Sequence, residues 1–281
     1  LIMVAHPIHG VAKIVIDFAN KRNIPVILDL RDFWPDIFET IFPKFFKFLY
    51  KLFFFRDIII TKKIFNKATA LVGVMPQIVD WAVKFSGRTK NDQNKVFYIG
   101  GDSQQNSAKL DLNFIDKKAI EEKIIFNYMG SFTKLSHPKI IIEAANILKT
   151  KNEHHKFSFI LCGNGDYFDE CKNLALDNES VHFTGWLEKN EINNVNAISL
   201  GGIIPSIEKE IFPNKVFSYT SSGQIIISSS GGDLRKLIHD YNAGFYFNQS
   251  NVNELVDIFL KISSLSKNEA VSLSNNSKKL F

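Results

Sequence analysis

The stretch IPSIEKEIFPNKVFSY, residues 204–219, decides the fold, because it combines the end of an apolar strand, a loop and the start of a short helix. Pro213 fits the first helical position, where its missing N–H costs nothing. The helix at 216–222 would then direct free N–H groups and its positive dipole end toward the loop, which suits a phosphate group. Gly223 is expected to end this helix, and residues 224–229 form a buried strand. A second strand-to-helix turn follows, as in doubly wound nucleotide-binding proteins.

Composition indicates a globular protein with room for two cores. The chain has 281 residues, of which 45% are hydrophobic and 22% charged, as is ordinary for such proteins. It begins without Met inside an apolar strand, so we expect a fragment whose earlier strands are absent. Cys162 and Cys171 lack metal-ligand spacing, and we expect buried, reduced thiols in a cytosolic protein.

The basic excess of the chain belongs to its first part. Up to Asp102 there are 15 basic and 9 acidic residues, whereas the remainder has 19 and 20. Nucleic acid, an anionic membrane surface or an anionic lipid-phosphate substrate would each explain this excess. No run of 18 apolar residues exists, so no membrane-spanning helix is predicted. No signal peptide is visible either.

A charged and aromatic cluster follows the second predicted strand. Residues 1–30 have the order strand, helix, strand, which predicts a parallel sheet. Arg31, Asp32, Trp34 and Asp36 come directly after it. Ligands bind beyond the carboxyl ends of parallel strands, so this cluster is a candidate acceptor site. The alternative is that Arg31 and Asp32 form an ion pair at the strand end.

Phenylalanine is concentrated in residues 33–65, which hold 10 of the 26 Phe residues together with several Lys and Arg. Apolar residues between Phe45 and Phe53 recur at helical spacing, and lysines occupy another side. This pattern favours a helix lying in the surface of an anionic membrane. A core helix with solvated lysines is the alternative. Nucleic-acid binding is disfavoured, because no recognised stacking motif accompanies these residues.

Two motifs resemble glycosyltransferase family 4, which contains retaining enzymes of the GT-B fold. The cluster at 31–36 is similar to the Arg-Asp-x-Trp-Pro-Glu signature of members that build bacterial lipid-linked oligosaccharides. The opening stretch is similar to the donor-binding segment of the family, in which two Glu residues are separated by seven others. Glu210 matches the first Glu, whereas Ser218 stands where the second belongs. The surrounding frame is matched by Pro213, Lys215, Phe217, Tyr219 and Gly223.

The resemblance implies an α/β protein of the GT-B fold, with two Rossmann-like doubly wound domains facing across a cleft and the first domain incomplete. Residues 1–102 would be a partial N-terminal acceptor-binding domain, and 103–122 a linker. Residues 123–266 would be the C-terminal nucleotide-sugar-binding domain. Residues 267–281 would be a tail that crosses back to the first domain.

The same resemblance implies sugar transfer from a nucleotide-sugar, of the UDP class, with retention at the anomeric carbon. The acceptor would be a polyprenyl-phosphate-linked lipid or a glycan. Negative charge grows on the leaving diphosphate, and Lys215 would neutralise it with no metal and no other cofactor. Glu210 would hold sugar hydroxyls, and Asp32 would orient the acceptor hydroxyl. These three residues are the catalytic candidates.

Binding residues are assigned by position. Many relatives carry Arg and Lys for the pyrophosphate where this chain has Ser131 and Ser136. Lys134 is a further cation in that loop, although an exposed lysine without a ligand is the alternative. The predicted donor-binding residues are Gly130, Lys134, Gly163, Gly165, Gly185, Trp186, Pro213, Asn214 and Ser218. The predicted acceptor-binding residues are Arg31, Trp34 and Asp36.

Other functions remain open at this level. Serines at 131, 136 and 218 suit a nucleotide-binding scaffold without catalysis. A GT-B-fold nucleotide-sugar epimerase is a further alternative, although an epimerase has no use for the cluster at 31–36. We expect a protein of bacterial surface polysaccharide synthesis, held peripherally on the cytoplasmic face of the inner membrane through residues 42–65, with no nucleic acid partner.

Overall fold

The structure is a computed structural model that describes residues 1–98, 116, 120–207 and 212–280, without the side chains at positions 40, 41, 44, 47 and 48. Contacts divide the chain into two compact units, Leu1–Ile99 and Gly100–Phe281. Most of the predicted linker at 103–122 lies outside the described residues.

Unit 1 contains a parallel sheet in the strand order β1-β2-β3-β4. Apart from Asp29, its central strands are apolar, as is typical of parallel sheets whose two faces are covered by helices. Leu28 and Leu71 of these strands are fully buried. The strands are β1 Ile2–His6, β2 Val26–Leu30, β3 Ala70–Gly73 and β4 Lys95–Val96, and the helices are α1 His9–Asn20, α2 Lys47–Phe53, α3 Phe55–Lys67 and α4 Pro76–Ser86.

Unit 2 contains a parallel sheet in the order β10-β9-β8-β5-β6-β7. The chain builds outward from β5 to β7 and then returns to the other side of β5. The carboxyl ends of β5 and β8 therefore flank the topological switch point, where open α/β sheets bind ligands. The strands are β5 Ile124–Met129, β6 Phe157–Cys162, β7 Val181–Gly185, β8 Gly201–Ile204, β9 Ile225–Ser228 and β10 Gly244–Tyr246.

The helices of unit 2 follow the strands in alternation. They are α5 Lys139–Thr150, α6 Phe168–Leu174, α7 Lys189–Ile198, α8 Lys215–Ser221, α9 Gly232–Asp240, α10 Val252–Ser263 and α11 Lys267–Ser277. Phe126, Phe159 and Phe259 pack together at the centre of the core. Both cysteines are free and buried, as predicted. Among the described residues, no helix is long and apolar enough to cross a membrane.

One predicted helix start was wrong. Helix α8 begins at Lys215 with Asn214 as its N-cap, so Pro213 precedes the helix instead of opening it. Helix α5 begins after Pro138 without a side-chain cap, and the Ser136 hydroxyl contacts Thr133 Oγ1 at 3.0 Å. Gly223 does end α8, in the left-handed region with φ 73°.

The tail forms a helix that its composition did not predict. Ser266 and Glu269 form a reciprocal capping box at the start of α11, which satisfies two otherwise unpaired N–H groups. Leu273 packs into the core of unit 2. The expected crossing of the tail to the first domain stays a prediction.

Candidate functional site

Glycine turns follow three neighbouring strands of unit 2, and main-chain hydrogen bonds join them. Gly130 N–H donates to Cys162 O at 3.0 Å, and Gly163 N–H donates to Gly185 O at 2.7 Å. Gly130, Gly163 and Gly185 have φ of 146°, 128° and 72°, a region that disfavours other residues. The ends of β5, β6 and β7 are therefore held side by side by main-chain atoms.

The glycines are required by the packing of neighbouring loops. A Cβ at Gly163 would lie 2.0 Å from Gly130 O, and one at Gly165 would lie 2.6 Å from Phe132 O. At both positions the close approach of the adjacent main chain leaves no room for a side chain.

These turns border a cleft of about 520 Å³, which we call the glycine cleft. Its described lining combines residues from β5, β6, the loop after β7, and α7 and α8. Many of the residues predicted to bind the donor meet here, although they are far apart in sequence. The lining residues are Met129, Gly130, Ser131, Ser136, Cys162, Gly163, Trp186, Leu187, Ile192, Asn214, Lys215 and Ser218.

Lys215 is the basic residue of the described cleft lining. Its Nζ lies over the Tyr128 ring, 4.3 Å from the centroid, where a cation is attracted to the π face. Burial lowers the pKa of Lys215 from its ordinary 10.5 to about 7. Among the described residues, no carboxylate forms an ion pair with it. Because no carboxylate of the described residues compensates its charge, this desolvated ammonium is stabilised when an anion enters the cleft.

Tyr128 contributes to the site although it belongs to no recognisable motif. Its ring is fully buried under Lys215, and its hydroxyl donates to Ser131 O at 2.7 Å. Strand alternation places Tyr128 on the same face as Phe126, which predicts a core residue and nothing more. The contact with Lys215 becomes visible only in three dimensions.

The cleft lining combines two kinds of group. Ser131, Ser136 and Ser218 supply neutral hydroxyl groups. Trp186, which is 78% exposed beside the buried Leu187, supplies an aromatic ring. A large, flat and accessible ring of this kind suits stacking with an aromatic ligand. The cleft can therefore hold an anion at Lys215 and a flat ring at Trp186.

Several predicted donor residues do not line the cleft. Lys134 is exposed and does not belong to the described lining. The lining also lacks Gly165, Gly185 and Pro213. Glu210 lies outside the described residues. Its predicted role stays a prediction.

In unit 1, Arg31 pairs with Asp29. Arg31 Nη2 lies 2.6 Å from Asp29 Oδ2, and Arg31 Nε donates to the same oxygen at 2.8 Å. The Arg31–Asp32 ion pair considered from the sequence is therefore absent from this described loop. Asp32 Oδ1 instead accepts from Phe33 N–H at 2.7 Å.

The other predicted acceptor residues have structural contacts. Asp36 Oδ1 accepts from Tyr50 Oη at 2.6 Å, and Asp36 Oδ2 accepts from Trp81 Nε1 at 2.8 Å. Asp36 thus joins its loop to α2 and α4. Trp34 packs on His9, with ring centroids 4.8 Å apart. Its Nε1 is buried without a hydrogen-bond partner in the described part of the chain.

No group of three or more His, Cys, Asp and Glu side chains that could hold a metal ion occurs within residues 1–98, 116, 120–207 and 212–280.

Comparison with known proteins gives a family and a fold. The family model described as "Glycosyl transferases group 1" matches residues 111–280. No curated protein matches the sequence. Anabaena Alr3699/HepE, solved in complex with UDP, is 13% identical and has a TM-score of 0.71, over 99% of this chain and 73% of that one.

Two further solved structures are similar. WaaG, a glycosyltransferase involved in lipopolysaccharide biosynthesis, has a TM-score of 0.69 at 15% identity, over 99% of this chain and 80% of that one. A glycosyltransferase from Rickettsia africae ESF-5 has a TM-score of 0.62 at 17% identity, over 96% and 75%. These likenesses confirm the predicted GT-B fold.

Proposed function

Because this chain belongs to the glycosyl transferases group 1 family, we propose that it moves a sugar from a UDP-sugar to a lipid-linked or glycan acceptor, with retention at the anomeric carbon. The observation that carries the proposal is the glycine cleft, because its lining contains both a desolvated lysine, Lys215, and an exposed tryptophan, Trp186. Similar structures were solved with UDP and with UDP-glucose, which supports the choice of donor class.

The proposal assigns a part of the donor to each part of the cleft. The diphosphate lies at Lys215 and the turn at Gly130, where its charge meets the desolvated ammonium. The base stacks near Trp186. The ribose, which joins the two, lies beside Ser218 and Asn214. Stacking on an aromatic side chain contributes about 1–3 kcal/mol per base.

The proposed catalytic effect is stabilisation of the charge that develops in the transition state. As the bond to the sugar breaks, negative charge grows on the diphosphate and the sugar becomes oxocarbenium-like. Lys215 stabilises that growing charge from inside a site of low polarity, where electrostatic interactions are strong. We assign Glu210 to the sugar hydroxyls and Asp32 to the acceptor hydroxyl. Arg31, already paired with Asp29, serves an acceptor phosphate.

Donor turnover tests this function. The protein is incubated with membranes and a panel of UDP-sugars, and release of UDP is measured. The proposal expects UDP release that depends on the acceptor. UDP binding without release would identify a scaffold protein, and an epimerised donor formed without acceptor would identify an epimerase. Either outcome would contradict the proposal.

UDP binding is expected to weaken as pH rises above 7. The unliganded pKa of Lys215 is about 7, and the diphosphate raises it on binding, so binding takes up a proton. The phosphate is already ionised in this range, since its last pKa is about 6. Affinity should fall by up to about tenfold per pH unit above 7, until the pKa of the complex is reached. Calorimetry at pH 7.5, 8.5 and 9.5 measures this, and a pH-independent affinity would contradict it.

We further propose that unit 1 binds the cytoplasmic face of an anionic membrane through residues 42–65. Phe45 is 90% exposed, Leu52 72% and Phe53 70%, with Lys51 and Arg56 exposed beside them. Apolar side chains that insert among lipid chains, with cations at the headgroups, are typical of interfacial helices. This patch supports a lipid-linked acceptor.

Replacing Phe45 and Phe53 by serine together is expected to weaken binding to phosphatidylglycerol vesicles at least tenfold. Each buried Phe contributes about 1.5–3 kcal/mol. Vesicle sedimentation measures the change. The control is Leu176→Ser, because Leu176 is 77% exposed in unit 2 and should leave vesicle binding unchanged. Equal losses in both variants would refute the patch.

A further inference from the structure

A fully buried tyrosine joins helix α8 to the end of strand β5. Tyr219 lies one helical turn after Lys215 and is 0% exposed. Its hydroxyl accepts from Met129 N–H at 2.9 Å and lies 3.5 Å from Ile203 O. Met129 immediately precedes Gly130, so this hydrogen bond connects α8 to the turn that borders the glycine cleft.

The hydroxyl occupies a place that the sheet leaves open. Strand β5 pairs with β8 at Phe126 and Asn127 and not beyond. Gly130 N–H points to β6, and successive N–H groups of a strand point to opposite edges, so Met129 N–H points toward β8. Tyr219 therefore supplies the acceptor that β8 no longer provides. A buried N–H without any acceptor would be costly.

A second glycine makes room for this ring. A Cβ at Gly202 would lie 2.4 Å from both Cγ and Cδ2 of Tyr219. Any larger residue at this position in β8 would displace the ring. The position of the Tyr219 ring therefore depends on glycine at position 202.

We propose that Tyr219 is a positioning residue: its hydroxyl fixes α8 to the end of β5 and thereby holds the Lys215 ammonium against Gly130 and Tyr128. A Cβ at Gly130 would lie 2.7 Å from Lys215 Nζ, so the ammonium is in close contact with that turn. A small shift of α8 along the sheet would separate the two. The proposal rests on the proposed function only for the use of UDP as a probe.

Tyr128, Cys162 and Tyr219 are titratable groups on the strands and the helix that carry or border Lys215. Burial raises the pKa of each, that of Cys162 to about 11, so these groups are neutral near pH 7. Titration of Lys215 itself can therefore be followed without interference from them.

The test compares Tyr219→Phe, which keeps the ring, with Thr220→Val. Thr220 is also buried on α8, but its hydroxyl bonds to Phe217 O within the helix. Tyr219→Phe is expected to weaken UDP binding about tenfold and to raise the pKa of Lys215 as its ammonium regains water. Thr220→Val should change neither. NMR of the Lys215 Cε methylene gives that pKa without any ligand.

Unchanged UDP affinity and an unchanged Lys215 pKa in Tyr219→Phe would overturn the proposal, as would a weakened affinity with that pKa unmoved. If the unaltered protein binds no UDP, the proposed function fails, while the NMR measurement still decides the role of Tyr219. Gly202→Ala, which displaces the same ring, provides a second variant and should shift the pKa in the same direction.

Discussion

Replacing Lys215 by methionine is expected to weaken UDP binding about 10- to 100-fold, which corresponds to about 1.5–3 kcal/mol for a lost charged hydrogen bond. Turnover should fall further, by about 100- to 1000-fold, because the growing charge on the diphosphate loses its cation. Calorimetry measures the first effect and UDP release the second. The control is Lys151→Met, because Lys151 is exposed and lies outside the described cleft lining.

The same substitution should stabilise the unliganded protein. The folded pKa of about 7 lies below the ordinary 10.5, so the unfolded chain binds the extra proton between these values. The stability of the unaltered protein therefore rises with pH across that window, and the cost of burying the charge is greatest below pH 7. Methionine removes this cost. Each kcal/mol gained raises the unfolding midpoint by about 2–4 °C. A lower midpoint at pH 6 would contradict the assignment.

Replacing Ser218 by glutamate is expected to tighten UDP binding by about 1.5–3 kcal/mol, since a carboxylate accepts charged hydrogen bonds from the ribose. Ser218 lines the cleft on the same helix as Lys215. A serine in this position offers one short, neutral partner. The expected result is about a 10- to 100-fold lower Kd for UDP, measured by calorimetry.

The matched control is Ser221→Glu, which adds the same charge to the same helix outside the described cleft lining. It should leave the Kd for UDP unchanged. Unchanged or weaker UDP affinity in Ser218→Glu would exclude the placement of the ribose beside Ser218.

Much of the fold could be predicted because strands and helix ends are indicated by local sequence patterns, namely apolar runs and turn-forming residues. The buried strand expected at 224–229 and the helix end at Gly223 were both placed correctly on this basis. The helix at 267–277 was missed, because its apolar pattern is weak, although Ser266 and Glu269 form a recognisable cap.

Many residues of the site could be identified from the sequence, but most contacts between their side chains could not. A strand places Asp29 and Arg31 on one face, so their ion pair could have been found from the sequence. Lys215 and Tyr128 lie far apart in the sequence of unit 2, and no local pattern indicates that they meet. The same is true of Tyr219 and Met129, whose contact depends on where β8 leaves β5.

The hydrogen-bonded glycine turns restrict which positions of the glycine cleft can be substituted without loss of folding. The glycine turns that border the cleft pack against one another through main-chain atoms, and a Cβ added at Gly163 would lie 2.0 Å from Gly130 O. Variation compatible with folding is thus directed to the walls, at Trp186, Asn214 and Ser218. Libraries randomised at these wall positions should yield altered nucleotide preference with most members still folded.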